Sequence, residues 1–189
     1  MGELLIDGEK VKGFKNNHGG RTTNYTMKAE AGKSYNIELQ FKYHAGAAQL
    51  NFDLGFKEVV NIQKTVAQVK DADVVVFAGG ISPRLEGEEM PVNLPGFKGG
   101  DRTDIELPAV QRELLKAVAA AGEKVVFVNF SGSPIGLVPE TQSCQAIVQA
   151  WYPGQAGGKA VADVLFGDYN PSGKLPVTFY KNVDQLPDF

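Results

Sequence analysis

Val74-Val75-Val76-Phe77-Ala78-Gly79-Gly80 is a continuous apolar run that ends in two glycines. Having no polar residue to turn toward water, such a run suits a strand covered on both faces, the usual state of strands in a parallel sheet. Two more runs of this kind follow, Val125-Val126-Phe127-Val128 and the shorter Ala146-Ile147-Val148. Between the first two, Leu107, Val110, Leu114 and Val118 are spaced three and four apart, which is the buried stripe of a helix. Val59, Ile62, Val66 and Val69 repeat the spacing ahead of the first run, and a further helix is expected from about Ala156 to Leu165. Leu175-Pro176-Val177-Thr178-Phe179 reads as a closing strand. Strands and helices in alternation indicate an α/β domain with a doubly wound, mainly parallel sheet.

Upstream of this region the period is two. Tyr35, Ile37, Leu39, Phe41 and Tyr43 alternate with Asn36, Glu38, Gln40 and Lys42, the pattern of a half-buried strand. Leu50, Phe52 and Leu54 continue it after a small-residue turn at Gly46, so a hairpin is expected there. Leu4-Leu5-Ile6 and Val11 flank Asp7-Gly8, a dipeptide that tolerates the positive φ angles of a tight turn. The polar stretch from Phe14 to Thr23 reads as a loop. Two parts are therefore expected, a short antiparallel β segment over 1–55 and an α/β domain over 56–189.

The formal net charge of -3 provides no basic excess for a phosphate backbone, and nucleic acid is not expected as a partner. No stretch nears eighteen consecutive apolar residues, so no membrane span is expected. One cysteine, Cys144, excludes an internal disulfide and reads as an inert core thiol. His18 and His44, both in the β part, give no metal-ligand spacing with it and read as surface or structural residues. Neither a metal nor another cofactor is expected.

Ligands of parallel sheets collect where the strands end at their carboxyl side. Two segments lie there, Gly79 to Asp101 and Ser131 to Leu137. The first runs for some twenty residues without periodicity and holds Glu86, Glu88 and Glu89 within Arg84-Leu-Glu-Gly-Glu-Glu-Met90. Loops of that length inside a domain are usually functional or mobile. Three loop glutamates are often only solvated charge; the alternative is a general acid and base whose surroundings keep it protonated near neutral pH. The pattern alone does not choose. Asp101 and Arg102 could form a charge-assisted pair at the base of the loop. Gly154 to Ala160 only superficially resembles a phosphate loop, since Pro153 stands where its first glycine belongs and Ala160 where magnesium needs a hydroxyl. It reads as a tightly packed helix start. Gly132-Ser133-Pro134 lacks the spacing of a nucleophile elbow.

The loop Leu85-Glu-Gly-Glu-Glu-Met90 is followed by Gly96-Phe-Lys-Gly-Gly-Asp-Arg-Thr103, Leu107-Pro108 with Gln111, Ser131-Gly132-Ser133, and Trp151-Tyr-Pro-Gly154 with Gly157-Gly158. Leu165-Phe-Gly-Asp-Tyr-Asn-Pro-Ser-Gly-Lys-Leu-Pro-Val-Thr-Phe179 completes the series. In this order the segments resemble the C-terminal domain of glycoside hydrolase family 3. The acidic loop is most similar to those of bacterial β-xylosidases and β-glucosidases, the former more than the latter. The first 55 residues resemble the end of a protective-antigen-type β-sandwich insert.

The resemblance implies retaining, exo-acting hydrolysis of a β-linked xylo- or gluco-oligosaccharide. An aspartate nucleophile would stand on an N-terminal barrel of about 250 residues, and a loop glutamate of this domain would be the acid/base. It places that role on Glu88 first and Glu86 second, with Glu89, Arg102 and Asp101 near the substrate. It also implies a periplasmic or secreted setting in a bacterium. No barrel precedes the domain here, so the chain is expected to be a fragment, inactive alone, whose partner is the barrel of the same protein. A non-catalytic carbohydrate-binding or scaffolding module is the competing reading; an exposed aromatic pair on the β part would favour it, but Tyr35, Phe41 and Tyr43 share a face that the alternation marks as core. A nucleotide binder would need a G-x-G-x-x-G that Ala78-Gly79-Gly80-Ile81-Ser82 does not supply.

Overall fold

Asp7 and Gly8 adopt φ angles of 51° and 85°, the left-handed geometry that closes a two-residue hairpin. From this turn β1 (Gly2–Ile6) and β2 (Glu9–Phe14) run antiparallel, and β3 (Ile37–Phe41) adds to the other edge of β1. The computed structural model from which these elements are read describes residues 1–14, 23–42, 50–56, 58–87 and 89–187. It divides into two compact units, Met1–Lys57 and Glu58–Phe189.

In the first unit Asp7 also fixes the entry to β3, its carboxylate accepting from the Asn36 amide at 2.8 Å. The alternation over Tyr35–Phe41 gives a strand, but not the expected burial. Ile37 and Phe41 remain exposed, because the three strands form one layer and no second layer occurs among the described residues of this unit. Leu50, Phe52 and Leu54 do not form a strand either, and their side chains are exposed. Alternation produces a strand only beside a sheet edge with free amides and carbonyls, and residues 50–56 have no strand partner among the described residues. The turn at Gly46, Tyr43, most of the loop after Phe14, and both histidines lie outside the described residues.

The second unit opens with α1 (Ile62–Val69), whose N-terminal amide at Lys64 is capped by the Asn61 side chain at 2.9 Å. Val59 lies ahead of this cap and is exposed. In chain order there follow β4 (Val75–Gly80), the two-residue strands β5 (Asn93–Leu94), β6 (Phe97–Lys98) and β7 (Asp101–Arg102), then α2 (Ala109–Ala120), β8 (Val125–Phe130), α3 (Val138–Ser143), β9 (Ala146–Gln149) and α4 (Gly157–Phe166). β4, β8 and β9 form a parallel sheet in that order, with Phe127 beside Phe77 on one side and Ile147 on the other. This is the expected α/β fold.

Helices α1 and α2 cover the face built from Val75, Phe77, Val125, Phe127 and Ile147. The buried stripe of α2 runs through Leu115 and Val118, with Leu114 partly buried, while Val110 is exposed. Leu107 reaches the core from outside the helix, because Pro108 occupies the cap position and starts the helix one residue later. β4 departs from expectation: its other face is open, with Val76 53% exposed, and Val74 just ahead of the strand is exposed too. Only the central β8 is buried nearly throughout.

Two further expectations separate here. Gly157 does begin a helix, and a side chain there would meet Pro153 at 2.4 Å, while Lys159 pairs with Asp163 one turn on. Leu175–Phe179, in contrast, is not a strand. Pro176 removes one amide donor, and Phe179 instead packs edge-on against Trp151 with ring centroids 5.9 Å apart.

Helix α3 was not legible in the pattern. It carries Glu140, 1% exposed, whose carboxylate meets Arg112 of α2 at 2.7 and 3.1 Å in a fork. Arg112 also donates to Glu106 and to the Gly136 carbonyl. Burial works against its charge, but the hydrogen bonds it donates to Glu140 and Glu106 outweigh burial and raise its pKa. The fork ties α2, α3 and the loop after β8 together. At the end of α3, Cys144 is half-buried, and burial with the nearby Glu140 charge pushes its thiol up to about 11. The thiol stays protonated at neutral pH, which suits the inert role read from the sequence.

Candidate active-site loop

The segments leaving the carboxyl ends of β4, β8 and β9 converge on one side chain, Glu86. Its Oε1 accepts from the Ser133 hydroxyl at 2.5 Å and lies 3.6 Å from Arg102 Nη1. The Tyr152 hydroxyl is 3.3 Å from Oε2. Glu86 and Arg102 keep only 15% and 12% of their side-chain surface in water. These partners lie 16, 47 and 66 residues away along the chain.

Arg102 does not pair with Asp101. Successive residues of a strand point to opposite faces, so Asp101 is exposed on β7 while Arg102 turns inward. There it donates to Ser133 Oγ and the Pro134 carbonyl at 3.2 Å each and to the Glu106 carbonyl at 3.1 Å. Its Nε is buried without a hydrogen-bond partner. Burial lowers its pKa, against the opposing pull of Glu86, Asp104 and Glu106, and it remains a cation at neutral pH.

Tyr152 was not anticipated from its spacing. Although 43% of the residue is exposed, its hydroxyl reaches the carbonyl of the fully buried Ile81 at 2.6 Å. Burial, with the Glu86 charge beside it, raises the phenol pKa against the lowering effect of Gly132 and Arg102. The phenol therefore stays a donor. Its ring lies over Gly132, where a Cβ would come within 2.3 Å, so Ser131-Gly132-Ser133 is a bed for an aromatic ring rather than an elbow for a nucleophile.

Below this cluster a buried polar net fixes the strand ends. Ser131 donates to Asn129 Oδ1 at 2.8 Å, Asn129 to Gln149 at 2.6 Å, and the Ile81 amide to Ser131 Oγ at 3.1 Å. Gln111 clamps Gly80 through both its amide and its carbonyl, at 2.8 and 2.7 Å. Fully partnered buried nets of this kind hold one arrangement.

Above it, the acidic loop is stapled to the small β5–β7 sheet on both sides of position 88. The Gly87 amide donates to the Gly100 carbonyl at 3.3 Å, and the Met90 amide to the Gly99 carbonyl at 2.9 Å. Gly100 has φ of 94°, and a Cβ there would lie 1.7 Å from the Gly87 carbonyl oxygen. Glu89 is exposed with φ of 50°, and Glu88 itself lies outside the described residues. Gly100→Ala is expected to lower stability by at least about 1–3 kcal/mol, the cost of forcing such a backbone conformation on a residue with a Cβ. Urea unfolding together with hydrogen exchange at Gly87 and Met90 measures it, and unchanged protection of both amides would contradict the staple.

Among the described residues no group of three His, Cys, Asp or Glu side chains converges to hold a metal ion. The sequence profile of glycosyl hydrolase family 3 C-terminal domains matches residues 8–189. The chain belongs to glycosyl hydrolase family 3.

Within the family, a xylan 1,4-β-xylosidase of Xylanibacter ruminicola is 57% identical over 189 residues, covering 99% of this chain and 22% of its own length. A periplasmic β-glucosidase of Salmonella typhimurium is 44% identical over 126 residues, covering 67% of this chain and 15% of its own. A solved β-glucosidase from Erythrobacter marinus shares the fold with a TM-score of 0.60 and 43% identity, over 68% of this chain and 17% of that one. The matched part thus spans 15–22% of the length of these relatives.

Proposed function

We propose that this family 3 domain belongs to a retaining, exo-acting β-glycosidase, a β-xylosidase before a β-glucosidase, and contributes the general acid/base from Glu88. The preference for xylosidase rests on the xylan 1,4-β-xylosidase that is 57% identical along almost the whole chain. The observation that carries the assignment of Glu88 is the pair of main-chain staples at Gly87 and Met90, between which position 88 falls. Glu86, the other candidate, has its carboxylate committed to Ser133 and Arg102. Glu89 and Asp101, both exposed, are rim groups able to accept from sugar hydroxyls. Arg102 is assigned to support of the loop, because its Nη groups are taken by protein acceptors.

In this reading a carboxylate on a barrel outside the chain attacks the anomeric carbon while Glu88 protonates the departing glycosidic oxygen. The Glu88 carboxylate then removes a proton from the water that opens the glycosyl-enzyme, and the sugar leaves with its configuration retained. The unit Met1–Lys57 is read as the end of a β-sandwich insert.

The chain alone should not hydrolyse nitrophenyl β-xyloside or β-glucoside. The full-length protein should, with the β-anomer released first in proton spectra of the early reaction. Turnover by the pure chain, or release of the α-anomer, would overturn the reading.

A further inference from the structure

We propose that Glu86 is the positioning residue of the acidic loop, holding the segment that carries Glu88 against the strand ends through Ser133 and Arg102. The inference rests on Glu88 being the acid/base and adds how the loop on either side of that position is held. Main-chain staples at Gly87 and Met90 join the loop to Gly99 and Gly100, but those glycines belong to the same excursion between β4 and α2. The staples therefore make the excursion internally rigid without fixing it to the sheet.

Beside the packing of Phe97, Leu85 and Val92 on the core, Glu86 adds a polar tie to the strand ends. Its carboxylate is one residue from Gly87 and bonds Ser133, which follows β8 directly, while Arg102 reaches the same Ser133 hydroxyl and the Pro134 carbonyl. Ser133 is thus held from two points of the excursion, Glu86 and Arg102. The Tyr152 hydroxyl has one proton, and its shorter contact is to Ile81 at 2.6 Å rather than to Glu86 at 3.3 Å. Ser133 and Arg102 therefore hold Glu86 more firmly than Tyr152 does. A displacement of about 1 Å at a reacting group costs on the order of 100-fold in rate, which is why such an anchor matters to a proton donor.

The test uses the full-length protein with aryl xylosides whose leaving phenols differ in acidity, rates being normalised to active enzyme trapped as the glycosyl-enzyme. Glu86→Gln and Ser133→Ala should each lower kcat/KM on the most basic leaving groups by about 10–100-fold and leave kcat/KM for the dinitrophenyl substrate nearly unaffected. Azide should give no glycosyl azide with Glu86→Ala. Ser133→Ala removes a single hydroxyl and keeps the test open if the Glu86 variants fold poorly. An equal loss on every leaving group would mean that Glu86 serves folding only and would overturn the proposal. Azide product from Glu86→Ala would make Glu86 itself the acid/base and overturn both readings. Absence of azide product from Glu88→Ala, with none from Glu86→Ala, would remove the assignment on which the proposal depends.

Discussion

Glu88→Gln in the full-length protein is expected to lower kcat/KM by about 10²–10⁴ on substrates with basic leaving groups, the usual contribution of a positioned proton donor. The size follows from what must leave. An alkoxide or sugar oxygen departs only when protonated, whereas a dinitrophenolate leaves unaided, so the loss should shrink toward nothing on the dinitrophenyl glycoside. The second half of the reaction needs the same carboxylate as a base. With Glu88→Ala, where a small anion can enter, azide should accelerate turnover and appear in the product as the β-glycosyl azide. Loss and azide product confined to Glu86→Ala would transfer the role to the neighbouring glutamate.

Arg112→Met should destabilise the α/β unit by about 3–5 kcal/mol, the range observed when one partner of a buried ion pair is removed. Four hydrogen bonds disappear, two of them to Glu140, which is 1% exposed and would keep a carboxylate without a counter-charge. Glu106 and the Gly136 carbonyl lose a donor in the same step. The double change Arg112→Met with Glu140→Leu should recover much of the loss, because a packed apolar pair replaces a broken ionic one. Urea unfolding of the second unit reads both. A loss below about 1 kcal/mol for the single variant would mean that water reaches Glu140 and compensates.

Local periodicity revealed much of the architecture. The runs at Val75, Val125 and Ala146 are strands in one parallel sheet, and Asp7-Gly8 closes the first hairpin, because each is decided by side chains within a few residues. Leu50–Leu54 alternates yet has no strand partner among the described residues, which no local pattern records, and Leu175–Phe179 loses an amide donor to Pro176 and packs Phe179 on Trp151 instead. The acidic loop was recognisable by its length and its glutamates. Its construction was not: the bonds from Glu86 to Ser133 and Tyr152 span 47 and 66 residues, and neither hydroxyl stands out in its own segment. Asp101 and Arg102 show the opposite error, since adjacency suggested a pair that strand geometry forbids.

Strand β4 has a consequence for anyone handling the domain. Its outer face exposes Val76, with Val74 exposed just ahead of it, and among the described residues only β8 pairs with it. Uncovered valines beside an unpartnered strand edge are a template for intermolecular sheet growth. Any shortened version of the protein that leaves this seam bare is expected to seed its own association as concentration rises, and a lysine at Val76 would be the least invasive way to blunt it.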